Sequence, residues 1–377
     1  MEHEYKRFWL RLALFTAPFA VALLLLTAGL VYMGESMPLV WVAAIQRDNP
    51  AVLYRPRFAP RDLPFKITSA NARQAEIIAL GSSRILQFRA GFFSRQPDAF
   101  YNAAAPGWTL DEVIEVFDAL DPPPRVLLLA IDPPWFNADY HAPVIPPPDD
   151  DFSALFAVNA AFLKDLLNGV PFDRPGWSLD NYRSRQSQGV PALGLRAIRD
   201  GHGFRGDGSE QYGDFLVAGW LDMTAARETH HVWLREGREM YIPGESVDAA
   251  ALAALNGLLG RARDRGVTVI GFLPSYMPSL WDAMHADARF GYVRALQGVL
   301  PTLFAEQGFA FYDFSDGAAL DTPDADFFDG WHAGERGNAR LLAAMAAAQP
   351  DVLGAYVDPA ALRSMADAAP DAWRVTG

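Results

Sequence analysis

The longest hydrophobic feature of the chain has no period at all. From Leu12 to Met33, "LALFTAPFAVALLLLTAGLVYM", 22 consecutive residues carry no charge. At 1.5 Å per residue a helix of that length spans the roughly 30 Å hydrocarbon core of a bilayer. Lys6, Arg7 and Arg11 precede the run and Glu35 follows it. The positive-inside rule therefore predicts a single-pass inner-membrane protein whose N-terminus is cytoplasmic and whose remainder is extracytoplasmic, on the periplasmic side. The alternatives are a cleaved signal peptide or a buried core helix, but the run exceeds a typical signal core and no convincing A-x-A site follows it. The next apolar piece, "MPLVWVAAIQ" (37–46), is too short to span again and is expected at the membrane interface. Residues 1–46 are thus read as an anchor.

Residues 47–73 carry four prolines and no sustained period, and read as a linker. Beyond them, short apolar runs alternate with stretches of helical spacing. Strands are expected at 76–80, 99–102, 125–131, 267–273 and 309–314. Helices are expected at 84–93, 109–120, 247–264, near 287–307 and at 335–347. Thr109 and Glu112 have the spacing of a capping box. "RVLLLAI" (125–131) is a continuous apolar run, as a strand buried on both faces requires. This alternation predicts an α/β fold with a five-stranded parallel sheet sandwiched by helices, over residues 74–350. Residues 133–245, with a proline cluster and polar loops, interrupt it and read as a large insertion. Residues 351–377 read as a peripheral tail.

Composition narrows the chemistry. Of 377 residues 51% are hydrophobic, enough for a sizeable core, and the formal net charge of −13 argues against a nucleic-acid partner. There is no cysteine, which removes disulfides, thiolate catalysis and cysteine-based zinc sites. No cofactor or metal motif stands out. "GHGFRG" (201–206) spells G-x-G-x-x-G without the strand and helix that a dinucleotide site needs, and "DDD" (149–151) lacks the further spaced ligands of a calcium loop.

One stretch raises a sharper question. In "EIIALGSSRILQF" (76–88) a strand-like run breaks at Gly81-Ser82-Ser83. A serine there can simply cap the following helix. It also lies at the carboxyl end of a parallel strand, where open α/β sheets bind ligands, so one of the two serines is a candidate nucleophile. A nucleophilic serine needs a base and an orienting carboxylate. Of seven histidines, two have an aspartate three residues before them, His285 in "WDAMHAD" and His332 in "FFDGWHAGERG". The first falls on a helix, where such a pair is commonly a solvated contact. The second falls in the loop after the last strand, on the same sheet edge as the serines. His230 and His231 are adjacent, so their side chains diverge and a surface role is expected. Gly107, after the second strand, can offer a backbone N–H to an oxyanion or serve as a turn glycine. Asp132 and Asn137 are the polar candidates after the third strand. Trp108, Trp135, Trp177 and Trp331 fall in or near loops and can be core or can line a sugar-binding cleft.

These residues, in this order, resemble the SGNH (GDSL-type) hydrolase superfamily, whose fold is a flavodoxin-like sandwich. Gly81-Ser82-Ser83 stands where that superfamily has Gly-Asp-Ser. The resemblance implies that Ser83 is the nucleophile and that its N–H joins the oxyanion hole with that of Gly107. Asn102, Gly107 and Thr109 match the second block, and Asp329 and His332 the Asp-x-x-His block, with His332 as general base oriented by Asp329. The third block departs: Ile131-Asp132-Pro133-Pro134 replaces Gly-x-Asn-Asp. Asn102, Trp108, Asp132 and Trp331 are carried as substrate-binding candidates. The serine at 82 and the anchor resemble the membrane-bound DltD-like and alginate-acetylation members. That implies an esterase or O-acyltransferase working through an acyl-enzyme on an acylated cell-envelope polysaccharide, beside a membrane-bound O-acyltransferase. The incomplete third block leaves open a catalytically inactive protein that binds a glycan or such a partner.

Overall fold

The computed structural model of the chain describes residues 2–58, 61–140, 151–169, 179–187, 189–213, 216 and 222–375. His141, Trp177 and the acidic residues 149–150 lie outside them. The chain divides into two compact units, one of Met1–Arg61, Ile145–Gly203 and Gln211–Asp214, the other of Asp62–Val144, Phe204–Glu210 and Phe215–Gly377.

The first unit begins with the helix Glu2–Tyr32, long and apolar enough to cross a membrane. The interfacial expectation at 37–46 falls on a second helix, Leu39–Asp48, which buries Leu39, Val42 and Ala43 and exposes Val40, Trp41 and Ile45. Leu30 and Met33, at the end of the long helix, are buried with Leu53, Val158, Ala192 and Ile198. Glu35 is not the solvated flanking charge that its position promised. It is buried, and its carboxylate accepts the backbone N–H groups of Leu195, Arg57 and Phe58. Burial pushes its pKa up against the pull of those bonds.

The second unit is an α/β fold around five parallel strands: β1 (Ile77–Leu80), β2 (Phe100–Asn102), β3 (Val126–Ala130), β4 (Thr268–Leu273) and β5 (Ala310–Asp313). Their order is β5-β4-β3-β1-β2, every pairing parallel. β1, β2 and β3 are buried along their whole length, as expected of strands covered on both faces. The chain winds outward from β1 to β2, then returns through β3 towards the other edge. The direction therefore reverses between β1 and β3, and the crevice at such a reversal lies beyond their carboxyl ends. Helices Leu110–Ala119, Ala249–Asp264, Gly291–Glu306 and Glu335–Ala348 flank the sheet. Thr109 and Glu112 close the expected capping box, with Thr109 N donating to Glu112 Oε2 at 2.8 Å. Gly271 in β4 has a packing reason: a Cβ there would lie 2.2 Å from the Phe304 ring.

Three expectations need correction. The stretch 84–93 forms two short 3₁₀ turns, Ser83–Ile85 and Ala90–Phe92, instead of an α-helix. Its carbonyls are taken from outside: Asn102 Nδ2 donates to Ile85 O and Phe88 O, and Glu210 N to Leu86 O. The supposed linker carries a strand at Leu53–Tyr54 and a helix at Asp62–Arg73, which buries Phe65, Lys66, Ser69 and Ala70. Lys66 is satisfied by Asn102 O at 2.9 Å and by Gly208 O, with its ammonium 4.0 Å above the Phe204 ring. The tail is not peripheral. Helix Pro359–Ala368 packs on helix Glu335–Ala348 and buries Leu362 and Ala366.

Candidate active site

Ser83 leaves β1 by a tight route. A Cβ on Gly81 would lie 2.8 Å from Ala130 Cβ, so only glycine lets the chain pass β3 here. Ser82 caps the 3₁₀ turn, its Oγ accepting Arg84 N at 3.3 Å. Ser83 is the first residue of that turn, where a backbone N–H has no partner within the turn.

The loop after β5 brings the histidine. His332 Nε2 lies 2.8 Å from Ser83 Oγ, and His332 Nδ1 lies 2.7 Å from Asp329 Oδ2. A carboxylate can only accept, so Nδ1 carries the ring proton and Nε2 is left to accept the serine O–H. Asp329 Oδ1 accepts the backbone N–H groups of Trp331 at 2.8 Å and His332 at 2.7 Å, which fixes the carboxylate in its own loop. Burial works against the charge on Asp329, yet His332 and these hydrogen bonds hold its carboxyl well below the usual carboxylate range. The Phe328 ring stacks on the imidazole, 5.2 Å between centroids at 3°.

No family model, curated protein or solved structure matched the chain in comparisons with known proteins.

Ser83, His332 and Asp329 are brought together, and the rival histidine is not. His285 lies on helix Pro278–Ala286, its ring 5.2 Å from that of Trp281. Gly107 is exposed in the otherwise mostly buried loop after β2, at a φ of +72°, the left-handed turn that glycine takes without strain. The four residues carried as substrate-binding candidates are all buried and engaged within the protein. Asn102 spends its amide on the turns after β1 and accepts Ala104 N at 3.0 Å. Trp108 lends its carbonyl to Trp135 Nε1 at 3.0 Å. Asp132 faces Arg84, Nη1 to Oδ1 being 3.5 Å, with both side chains almost wholly buried. Trp331 packs edge-on against Tyr241 and Tyr276. The contacts of Asn102, Trp108 and Asp132 are internal because the loops after β1, β2 and β3 are tied to one another, and Trp331, in the loop after β5, closes over Arg84. Among the described residues no cluster of three or more His, Asp or Glu side chains could hold a metal ion.

Two residues carry more of the site than the sequence disclosed. Arg84 follows the candidate nucleophile directly, and its guanidinium is held between the rings of Tyr276 (4.2 Å) and Trp331 (4.4 Å). Its Nη2 donates to Pro274 O and Ser275 O, each at 2.8 Å, tying the serine turn to the exit of β4. Burial pushes the Asp132 carboxyl up, against the pull of Arg84 and of the hydrogen bond from Ser82. Removing one partner of such a buried pair leaves the other charge uncompensated. Arg84→Met is expected to cost about 3–5 kcal/mol in denaturant unfolding; a cost below about 1 kcal/mol would show that the pair does not hold the turn.

The second is His230, expected at the surface and found buried on helix Met223–Glu236. Its Nδ1 is 2.8 Å from Tyr241 Oη, and its Nε2 is 3.8 Å from Asp329 Oδ2. His231 does diverge, reaching Ser279 Oγ at 3.1 Å. The available signal was the i,i+4 spacing of His230 with Leu234, which puts both on the inward face.

Proposed function

We propose that this chain is an SGNH-type serine esterase or O-acyltransferase, tethered to the membrane by its first helix. Its catalytic unit works outside the cytoplasm on an acylated cell-envelope polysaccharide. The observation that carries this reading is the hydrogen-bonded series Ser83–His332–Asp329 at the switch point of a parallel sheet. His332 takes the proton of Ser83 Oγ as that oxygen attacks an acyl carbonyl, and Asp329 stabilises the imidazolium that forms. The tetrahedral oxyanion is received by the N–H of Ser83 and, as the resemblance implies, by that of Gly107. Collapse expels the alcohol with the proton returned by His332, leaving an acyl-Ser83 ester. Water or a polysaccharide hydroxyl then attacks that ester by the same route in reverse. A tethered enzyme stays near a membrane acyl source, which favours transfer and a membrane-bound O-acyltransferase as partner.

The full chain in detergent, mixed with p-nitrophenyl acetate, should release one p-nitrophenolate per chain in a fast phase before the steady state. Release no faster than from Ser83→Ala protein, without a fast phase, would speak for the inactive binding protein instead.

His230 acts in this scheme through Asp329. Burial lowers its pKa to about 4, so it is neutral near pH 7 and does not compete with His332 for the carboxylate. Burial keeps Tyr241 protonated; in the tautomer where its O–H donates to Nδ1, the His230 proton sits on Nε2, on the Asp329 side. His230→Ala should lower kcat about three- to tenfold with KM unchanged, roughly 1 kcal/mol of dipolar support to Asp329 across 3.8 Å, a distance beyond hydrogen-bond reach. A raised KM with unchanged kcat would place His230 in substrate binding instead.

A further inference from the structure

Helix Asp151–Leu167 belongs to the first unit and lies within the former insertion. One of its faces packs: Val158 and Asn159 are buried, and Phe162 lies partly buried against Leu30, Met33 and Ile198. An adjoining face carries Phe156, Ala160, Leu163 and Leu167 at i, i+4, i+7 and i+11, all exposed, Phe156 at 70% and Leu167 at 87%. An apolar stripe of this kind on a soluble surface marks an interaction site.

The anchor helix says what covers it. Thr27 Oγ1, 2.8 Å from Leu23 O in its own helix, also lies 3.1 Å from Asn159 Oδ1, so the two helices meet within the uncharged run that ends at Met33. Thr27 lies six residues before Met33, about 9 Å along the helix axis. Interfacial helices bury their apolar face about 5–10 Å into the headgroup boundary, the same depth. If the run Leu12–Met33 is in the bilayer, a helix that touches it at Thr27 is at the level of the lipid. Aromatic side chains mark two levels: Tyr5 and Trp9 are exposed near one end of the anchor, Tyr32 at its other end and Trp41 beyond it. Lys164, exposed beside the stripe, has the reach to bring its ammonium to a headgroup phosphate.

We propose that helix Asp151–Leu167 is seated in the membrane interface beside the anchor, its Phe156–Ala160–Leu163–Leu167 stripe in contact with lipid. The first unit is then a membrane platform with two points of attachment, the second independent of catalysis. The proposal rests on the anchor spanning the bilayer.

The chain has no cysteine, so single replacements can be labelled cleanly. Full-length Phe156→Cys and Leu163→Cys, each carrying an environment-sensitive fluorophore, would be reconstituted in phosphatidylcholine–phosphatidylglycerol vesicles. Leu14→Cys on the anchor and Glu115→Cys on the second unit serve as lipid and water controls. At 156 and 163 a bromolipid should quench at least threefold more than iodide does, as at 14, with the reverse at 115. Iodide quenching at 156 and 163 alongside lipid quenching at 14 would overturn the proposal while leaving the anchor intact. Shielding from both quenchers, with energy transfer between copies, would also overturn it in favour of self-association. Water exposure at 14 would overturn it together with the membrane tether of the proposed function.

Discussion

Ser83→Ala protein is expected to fold as the parent does and to lose esterase or transfer activity by about four to six orders of magnitude. That is the range in which removing one member of a serine triad removes the whole covalent route. The substitution deletes one oxygen from a half-buried side chain whose hydroxyl meets the His332 ring. Its effect on unfolding free energy should therefore stay within about 1 kcal/mol. Thermal melts and steady-state rates on the same preparation separate the two effects. A variant that keeps more than about a tenth of parental activity would remove Ser83 from the chemistry, because no residual binding term accounts for so small a loss.

The second large effect sets one histidine against another. His332→Ala should lower the rate by a comparable four to six orders of magnitude, since the proton of Ser83 Oγ then has no acceptor. His285→Ala should stay within a few-fold of the parent. Both histidines follow an aspartate by three residues, so local sequence cannot choose between them. The structure separates them by their settings. His285 sits on a helix beside Trp281, while His332 is clasped at both ring nitrogens. Sensitivity at position 285 and indifference at 332 would mean that the relay seen here is not the working one.

How far the sequence could be read depended on whether the signal was local. β3 was legible because its apolar residues are continuous, and the helix at Leu110–Ala119 because its capping box is spelled out in Thr109 and Glu112. The meeting of Ser83, Asp329 and His332 was legible because strand order puts the loops after β1 and β5 on one edge of the sheet. The turns after β1 were not. Ile85, Leu86 and Phe88 have helical spacing, but the carbonyls of that segment bond to Asn102 and Glu210, contacts that only the fold reveals. Asp62–Arg73 was read as a linker because its helix, with Pro64 in the first turn, owes its place to tertiary burial of Phe65 and Lys66. His230 and Arg84 were missed for a similar reason. Each is a charged or titratable side chain whose partner, Asp329 or Asp132, lies tens of residues away in sequence.

The central claim is that Ser83, activated by His332, carries the acyl group, and covalent labelling tests it most directly. The full chain would be treated with a fluorophosphonate, which reacts with a serine only when an adjacent base activates it, and the labelled peptide mapped by mass spectrometry. The account predicts one adduct per chain on Ser83, none on Ser82, and none in His332→Ala protein. Unlabelled parent protein, beside a serine esterase that labels under the same conditions, or an adduct on Ser82 would contradict it.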